Sequence, residues 1–305
     1  MIEAAGGEVR VNSEVSEIVV EGGRAAGVRL KKTGQVLRAP AVISNAGARA
    51  TYLRLLAPEV VPFRDEIDQA PVSMGHVSLY LGFSESPAKA GATAANCWAH
   101  GGLDHDRLFD RRNELLDAVV PHASIFFPSL KDPAARVHTA EIIAPIDATA
   151  FAAWAGTRWM KRGAEYLALK EHLSDALLAF AEREFPGLSK LVVTRELSTP
   201  LSTEHFTGHR GGEIYGLPAT PARFSKPYLS VRTPVPGLYM SGADAFMLGI
   251  GGATVASVFC AAAIAGLSVF PRLSRAASAL PSPVWRGEPE ANQAALTPHS
   301  QAAHS

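Results

Sequence analysis

The sequence predicts an α/β fold, and three observations support that prediction. Short β-rich segments crowd the first part of the chain, one long amphipathic helix lies in the middle, and a short apolar strand leads into a glycine-rich helix near the end. The length of 305 residues suggests two domains, or one large domain with an embellishment, at roughly 150 residues per domain.

The composition excludes several classes of protein. Apolar residues make up 47% of the chain and charged residues 19%, which excludes intrinsic disorder of the whole chain. Basic and acidic residues cancel at 29 each, so no basic field attracts nucleic acid. Two cysteines, Cys97 and Cys260, cannot form a disulfide framework or a closed zinc site, and we expect both to be buried, reduced thiols. These features fit a cytoplasmic location.

The first residues, MIEAAGG, lack the basic and apolar regions of a signal peptide. They are typical of the last turn of a helix that stops at Gly6 and Gly7, before a strand EVRVN at residues 8–12. Since a single helical turn is unstable alone, we expect that residues upstream of this chain are missing.

Residues 8–43 predict a meander of short strands. After the strand at residues 8–12 come VSEIVVE, AAGVRLK, QVLRAP and AVIS, with turns at Gly22-Gly23 and at residues 32–34. A helix is predicted from about Ala48 to Leu56, because Pro58 stops it.

A second block, at about residues 72–200, predicts strands within SMGHVSLYLGF, HASIFF and TAEIIAPI. An amphipathic helix follows, and Phe185-Pro186-Gly187 ends it. Its apolar side chains recur at steps of three and four residues, which predicts a stripe facing the core: Tyr166, Leu169, Leu173, Leu177 and Phe180.

Residues 201–236 are irregular and rich in Gly, Pro and Thr, and a loop of that length is usually functional or disordered. The strand GLYMS then precedes an uncharged segment from Ala245 to Phe270, which is long enough to cross a bilayer. Its glycines and its alanine-rich second half favour a buried helix instead. Residues 271–305 are rich in Pro, Ser and Ala without periodicity, so we expect a disordered tail.

The motifs of common hydrolases and dithiol enzymes are absent: the chain has no Walker A, HExxH, GxSxG or CxxC sequence. The nearest match to GxGxxG begins at Gly249, but Thr254 replaces its third glycine. The free N–H groups at such a helix start can hold an anionic or electron-rich group, and Asp244 just before it can accept hydrogen bonds from sugar or ribityl hydroxyls. The alternative is a glycine-rich helix start that only packs on a neighbouring strand.

Three stretches of the sequence resemble one known family. GLYMSGADAFMLGIGGATVASV resembles the C-terminal flavin motif of the phytoene desaturase, carotenoid isomerase and retinol saturase group of FAD-dependent oxidoreductases, which are amine-oxidase-like flavoproteins. GGEVRVNSEVSEIVVEGGRAAGVRLKKTGQVLRAPAVISNAGA is similar to the central stretch of that group, and TPLSTEHFTGHRGGEIYGL to a loop of its desaturase and saturase branch. Together the matches cover about residues 1–56 and 197–268.

The resemblance implies an FAD site and assigns positions to it. A strand residue faces the adenine through its backbone, an acidic residue lies near the ribityl and pyrophosphate groups, and a helix start lies under the pyrimidine edge of the flavin. The implied cofactor-binding residues are Val15, Asn45, Gly242, Asp244, Gly249, Ile250 and Gly251. No catalytic side chain and no metal ligand is assigned.

The same resemblance implies the domain organisation. Residues 1–65 and 205–270 would form a split, Rossmann-like FAD/NAD(P)-binding domain, with an α+β substrate-binding domain at 66–204 inserted between them. The βαβ unit that carries GxGxxG in the family is absent from the sequence. We therefore expect that this chain alone binds FAD poorly, and that it is a truncated form or the C-terminal half of a split enzyme whose missing half leaves apolar surface exposed.

The implied function is FAD-dependent oxidation or reduction of C–C bonds in an isoprenoid or polyene. Such an apolar small-molecule substrate partitions into lipid, so peripheral contact with a membrane is expected as well. Two alternatives stay open: an amine-oxidase-like flavoenzyme with a polar substrate, and a non-catalytic remnant or partner subunit.

Two smaller sets of residues also allow two interpretations. His205 and His209 are four residues apart and could suggest a metal site, but Gly208 between them weakens a helix and the surrounding loop matches the flavoprotein family. Phe151, Trp154 and Trp159 could line a channel for a polyene, although aromatic residues more often fill a core.

Overall fold

The structure is a computed structural model, and it describes residues 1–278. Its strands are β1 Val15–Glu21, β2 Arg24–Leu30, β3 Val36–Arg38, β4 Val42–Ser44, β5 Gly75–Phe83, β6 Cys97–His100, β7 His122–Phe126, β8 His138–Ile146, β9 Val192–Ser198 and β10 Leu238–Met240. Its α-helices are α1 Arg64–Gln69, α2 His105–Asp110, α3 Pro128–Lys131, α4 Ala164–Glu184, α5 Pro200–Thr207, α6 Pro221–Phe224, α7 Gly249–Ala265 and α8 Val269–Ser278. The class is therefore mixed α/β, as the sequence predicted.

Two small sheets are built from the two ends of the described chain. β1, β2 and β3 form an antiparallel meander, whereas β4 leaves it and pairs with β10 in parallel, Val42 opposite Leu238 and Ser44 opposite Met240. Within residues 1–278 this parallel pair has no third strand. On the far side of β10, Tyr239 makes an antiparallel bridge to Arg232, so the open edge of the pair belongs to β4.

The middle of the chain forms a five-stranded antiparallel sheet in the order β6-β7-β8-β5-β9. Alternate residues of its central strands point to one face, where Val77, Leu79 and Ile142 are fully buried. α4 packs on that face and contributes Leu173 and Leu177 to the same core. The apolar alternation of the strands and the stripe on the helix explain this packing.

Most predicted elements are confirmed, with boundaries shifted by a few residues. The strands at β1–β5, β7, β8 and β10 and the helix α4 lie where the patterns placed them, and Gly6 ends a short helical turn at Glu3–Ala5 in the left-handed conformation, with φ of 80°. The helix expected at 48–56 is present, but residues Ala50–Leu55 are wound as a π-helix. Cys260 is buried and Cys97 half-buried, and both are free thiols.

Three predictions about secondary structure are wrong. Residues 8–12 form no strand, because nothing among the described residues pairs with them. The irregular stretch at 201–236 contains α5 and α6, each of which starts with a proline at its first helical position. α8 occupies the first eight residues of the predicted disordered tail, 271–278, while residues 279–305 lie outside the described part.

The prediction that the long uncharged helix is buried is also wrong. Only Ala256 and Cys260 of α7 are buried, whereas Ile250 is 89% exposed and Phe259 and Ile264 are well exposed. The apolar composition of α7 is therefore not matched by an element that covers it within residues 1–278. In the part of the chain that the structure describes, no helix combines the length and the hydropathy needed to span a bilayer.

Replacing Leu177 tests the assigned core. Leu177→Ala should lower the free energy of unfolding by roughly 2–5 kcal/mol, because it leaves a cavity between α4 and the sheet. Leu167→Ala on the same helix, where the side chain is 59% exposed, should change it by less than about 0.5 kcal/mol. Urea denaturation followed by circular dichroism measures both, and equal losses would contradict the assigned face of α4.

Candidate functional site

One buried carboxylate ties three segments together. Asp244 follows β10 and is only 6% exposed. Its Oδ2 accepts a hydrogen bond from the backbone N–H of Ala48 at 2.7 Å, and its Oδ1 accepts one from the N–H of Leu217 at 2.8 Å. The Arg223 guanidinium lies 3.9 Å from Oδ1 and donates to the carbonyl oxygens of Leu217 and Ala243. The carboxylate therefore fixes the turn after β4 and the loop before α6 against the end of β10.

Glycine is required where the backbone comes close to this carboxylate. A Cβ at Gly216 would lie 2.3 Å from Oδ1 of Asp244, and one at Gly242 would lie 2.2 Å from Oδ1 of Asn45. Both glycines also have positive φ, 75° and 90°, which other residues rarely adopt. Gly216 thus makes room for the Asp244 carboxylate, and Gly242 makes room for the Asn45 side chain in the turn after β4.

A cavity of about 310 Å³ opens beside this junction, and we call it the α7 cavity. Its floor is the turn after β4 and the end of β10, and its wall is the first turn of α7. Most of its lining is apolar or backbone, and its ionisable side chains are Asp244, His209 and Tyr215. The lining residues are Asn45, Gly47, His209, Ile214, Tyr215, Gly216, Ser241, Ala243, Asp244, Gly249, Ile250 and Ala253.

The start of α7 presents unpartnered backbone donors at this cavity. The preceding residue, Leu248, makes no side-chain cap, and Gly249 has a φ of 76°. Gly252 packs so closely on Met247 that a Cβ there would lie 2.2 Å from the carbonyl oxygen of Met247. In contrast, a Cβ at Gly249 or Gly251 would meet no atom within 4 Å, so these two glycines face open space. The helix of 17 residues therefore offers its positive end to the cavity.

A second cavity of about 410 Å³ lies on the other side of the turn after β4, and we call it the β1 cavity. Ala46 of that turn lines the β1 cavity, whereas its neighbours Asn45 and Gly47 line the α7 cavity. The basic side chains of Arg54 and Lys31 face it, and Nζ of Lys31 pairs with Glu14 at 2.8 Å. Its lining residues are Glu14, Val15, Ser16, Lys31, Ala46, Ala50, Arg54 and Leu55.

The structure brings five of the seven predicted cofactor-binding residues to these two cavities. Val15 lines the β1 cavity, and the α7 cavity is lined by Asn45, Asp244, Gly249 and Ile250. Gly251 lies in the first turn of α7 and Gly242 lies two residues before Asp244, but neither lines a cavity. The two groups of residues lie on opposite sides of a single turn.

Sequence reasoning missed several lining residues. Ile214, Tyr215 and Gly216 come from the loop that resembles the family, but no residue of that loop was assigned to the cofactor, and His209 was weighed only as a metal ligand. Arg54 was missed because a lone arginine near the end of a predicted helix carries no signal. Its guanidinium lies next to Gly208, with Nη2 3.4 Å from the Gly208 carbonyl oxygen, and so it stands between the β1 cavity and His209.

A second buried ion pair, between Arg49 and Glu213, holds the loop that follows α5. The guanidinium of Arg49 donates to the carbonyl oxygens of Ile67 and Ala70, and its Nε lies 3.7 Å from Oε1 of Glu213. Glu213 also accepts a hydrogen bond from the N–H of Ser73 at 3.2 Å. Burial raises the pKa of Glu213 and lowers the pKa of Arg49, because both charges have left water. The pair anchors the segment that leads into Ile214 and Tyr215.

The remaining candidates separate in space. His205 stacks on Trp159, whereas His209 lines the α7 cavity. Among residues 1–278 no group of three or more His, Cys, Asp and Glu side chains is arranged to hold a metal ion. Phe151 is fully buried in the core and Trp154 packs on it, in agreement with the core interpretation of these two, whereas Trp159 is exposed.

Asp244→Asn tests the role of the carboxylate as a junction. An amide has one acceptor oxygen, so one of the two backbone N–H groups loses its partner, and we expect the free energy of unfolding to fall by about 1–3 kcal/mol. Asp110→Asn, at an exposed position at the end of α2, should change it by less than about 0.5 kcal/mol. Similar values for the two variants in thermal unfolding would refute the junction.

Comparison with known proteins gives three informative relatives. The chain is 27% identical over 283 residues to the all-trans-retinol 13,14-reductase of Rattus norvegicus, covering 87% of this chain and 46% of the relative. It is 31% identical over 210 residues to the neurosporene-forming phytoene desaturase of Cereibacter sphaeroides, covering 66% and 38%. It is 27% identical over 271 residues to the chloroplastic prolycopene isomerase of Daucus carota, covering 85% and 40%. The chain thus spans less than half the length of these relatives.

No protein-family model matches the chain. Among solved structures, cyclohexylamine oxidase from Brevibacterium oxydans is similar with a TM-score of 0.50 and 16% sequence identity, covering 87% of this chain and 49% of the oxidase. At that identity the similarity shows the fold alone. By sequence, the chain is related to the group that contains retinol 13,14-reductases, phytoene desaturases and prolycopene isomerases, as its motifs predicted.

Proposed function

We propose that this chain is the FAD-binding and substrate-binding part of an oxidoreductase that acts on C–C bonds of an isoprenoid or polyene. One observation supports this most directly: the uncapped, glycine-rich start of α7 opens onto a cavity beside the Asp244 junction. The names of the relatives support the reaction class, since they act on retinol, phytoene and prolycopene.

The arrangement of the two cavities fits an elongated cofactor. They lie on either side of the turn after β4, so one molecule that follows this turn could occupy both. In this proposal the β1 cavity takes the adenine end, against the backbone of Val15, and the α7 cavity takes the flavin end. The residues that would hold FAD are Val15, Asn45, Gly242, Asp244, Gly249, Ile250 and Gly251. FAD, when bound, supplies two-electron hydride chemistry.

Asp244 can serve both the fold and the cofactor. Its two oxygens have about four acceptor positions, and the backbone N–H groups of Ala48 and Leu217 occupy two. The others can accept hydroxyl donors of a ribityl chain from the side of the cavity. The start of α7 contributes its positive end to an electron-rich ring edge, a stabilisation of about 1 kcal/mol.

Arg54 is a further candidate for holding the cofactor. It lines the β1 cavity and contacts Gly208, one residue before His209 of the α7 cavity. A guanidinium at this position can form two hydrogen bonds to a pyrophosphate that passes between the cavities.

The finer fold proposal is a split, Rossmann-like domain from residues 1–65 and 205–270, with residues 66–204 as the substrate-binding domain. A parallel pair of strands is rarely stable without further strands and helices over its faces. Because the edge of β4 is open and the apolar α7 is uncovered, we propose that a βαβ unit outside residues 1–278 pairs with β4 and packs on α7.

An apolar substrate is favoured over a polar amine by the lining of the α7 cavity. Its walls include the side chains of Ile214, Ile250 and Ala253, and Asp244 supplies the one carboxylate of its lining, so it holds no cluster of carboxylates to bind an ammonium group. Orientation of the substrate and exclusion of water are the roles we assign to this chain, and no side chain is assigned as an acid or base.

A cytoplasmic location with membrane contact stays part of the proposal; free Cys97 and Cys260 fit a reducing compartment.

Expression of the reading frame with and without the codons that precede residue 1 tests the proposal. We expect a bound-flavin absorption spectrum only for the longer form, because the βαβ unit supplies most of the pyrophosphate contacts. That form should then convert a retinoid or carotenoid and leave an aliphatic amine unchanged.

Each result has a distinct meaning for the proposal. FAD bound by the 305-residue chain itself would contradict the need for a further βαβ unit but retain the site. FAD bound by neither form would refute the flavin proposal. Turnover of the amine, without turnover of the retinoid or carotenoid, would favour the alternative of an amine-oxidase-like flavoenzyme with a polar substrate.

A matched pair of alanines on α7 tests which cavity holds the flavin. Ala253→Leu fills the α7 cavity and should weaken FAD binding by about tenfold or more, which is about 1.4 kcal/mol. Ala261→Leu lies on the same helix at an exposed position away from that cavity and should leave the affinity nearly unchanged. Fluorescence titration of FAD, with both substitutions made in the longer form, measures both affinities. Equal affinities would place the flavin elsewhere.

A further inference from the structure

An aromatic and basic surface lies where the loop after Trp154 packs on α5. We define this loop surface as residues 158–162 together with His205 and Phe206. The ring of Trp159 stacks on the ring of His205, with centroids 5.4 Å apart and planes 8° apart, and meets Phe206 edge to face at 5.2 Å. Arg162 anchors the loop to α5 and α4, because its guanidinium donates to the Leu201 carbonyl oxygen and lies over the Tyr166 ring.

Two apolar side chains of the loop surface are largely exposed to solvent. Met160 is 78% exposed and Phe206 is 68% exposed, although both belong to residue types that are usually buried. Met160 also has a φ of 62°, a left-handed conformation that is uncommon and strained for a residue other than glycine. A strained, outward-facing methionine beside an ordered aromatic cluster indicates a contact that the described residues do not supply.

The charges of the loop surface point to an anionic partner. Arg158 and Lys161 flank Trp159 and Met160 directly in the sequence and are exposed. Tryptophan with neighbouring Lys or Arg is the combination that favours a membrane interface, because the ring lies at the headgroup level while the cations meet lipid phosphates. The uncovered face of α7 lacks this pattern, since it is uncharged along its whole length.

We propose that the loop surface binds the surface of a bilayer that contains anionic lipids. Trp159, Met160 and Phe206 enter the boundary between headgroups and acyl chains, and Arg158 and Lys161 contact the phosphates. The surface is the tip of a loop beside one helix, which suits shallow insertion into a bilayer. This part of the inference does not depend on the bound cofactor.

The loop surface also lies close in sequence to the α7 cavity, which we propose for the flavin and where the substrate would react. Phe206 lies near the end of α5, and His209, three residues later, lines the α7 cavity. An apolar substrate dissolved in the bilayer would therefore meet the protein close to this cavity. This connection rests on the proposed function.

Flotation of the protein with lipid vesicles tests the charged part of the surface. Vesicles of phosphatidylcholine mixed with phosphatidylserine should bind the protein more tightly than pure phosphatidylcholine. Arg158→Gln with Lys161→Gln should weaken binding to the mixed vesicles by about tenfold or more. The control pair, Lys32→Gln with Lys190→Gln, removes the same charge from exposed positions elsewhere and should leave binding nearly unchanged.

The apolar part is tested with a second pair and a local probe. Met160→Ser with Phe206→Ser should release the protein from vesicles, whereas Leu103→Ser with Val137→Ser, at exposed apolar positions elsewhere, should not. Lipids brominated on their acyl chains should quench tryptophan fluorescence in the natural protein and much less in Trp159→Phe. Circular dichroism of every variant confirms that it is folded.

Several outcomes would overturn the inference. If the two double Gln variants lose binding equally, the vesicles respond to the net charge of the protein and not to the loop surface. If all variants bind equally, the contact lies elsewhere on the protein. Loss of a dimer in sedimentation by Met160→Ser with Phe206→Ser, without an effect on vesicles, would assign the surface to a second copy of the chain. FAD titration of the same variants in the longer form separates this result from failure of the flavin site, because an intact loop surface is not needed for FAD binding.

Discussion

The structure depends on the buried Asp244 carboxylate more than on any other single interaction. It binds two backbone N–H groups that lie 196 and 27 residues away in sequence, one at the start of the helix after β4 and one in the loop before α6. A buried acceptor without such partners would be costly, so the three loops and the carboxylate stabilise one another. The glycines around the carboxylate follow from this, because their missing side chains make room for it.

The junction has a functional consequence, since it fixes the geometry of the α7 start. β4 and β10 pair in parallel, the turns after both strands meet at Asp244, and α7 begins a few residues later. Ligands of α/β folds bind at the carboxyl ends of parallel strands, where helix N-termini meet. The two cavities lie at this end. The same site is therefore favoured by the topology and by the backbone donors at the start of α7.

Apolar side chains are exposed at two places in the described residues, α7 and the loop surface, and the two surfaces differ in charge. α7 exposes uncharged, mostly aliphatic residues, and β4 has an open edge among residues 1–278, which fits a covering protein segment. The loop surface instead combines an exposed Met and Phe with two cations, which fits a bilayer. Charge distinguishes the two surfaces, because a protein core excludes unpaired cations whereas an anionic membrane attracts them.

The sequence by itself determined the local elements and the chemistry available at the site. Period-two and period-three-to-four patterns placed β5, β7, β8 and α4, and the motif around Gly242–Gly251 placed the strand and helix start that line the α7 cavity. These features depend on neighbouring residues, so they can be predicted from a single sequence.

Only the tertiary structure decided which residues meet and which faces stay exposed. The contact of Asp244 with Ala48, the position of Arg54 between two cavities and the stacking of Trp159 on His205 all join segments that are distant in sequence, and no local pattern encodes them. The exposure of α7 was predicted wrongly for the same reason. The hydropathy of a helix indicates that an apolar element should cover it, but only the tertiary structure shows whether such an element is present.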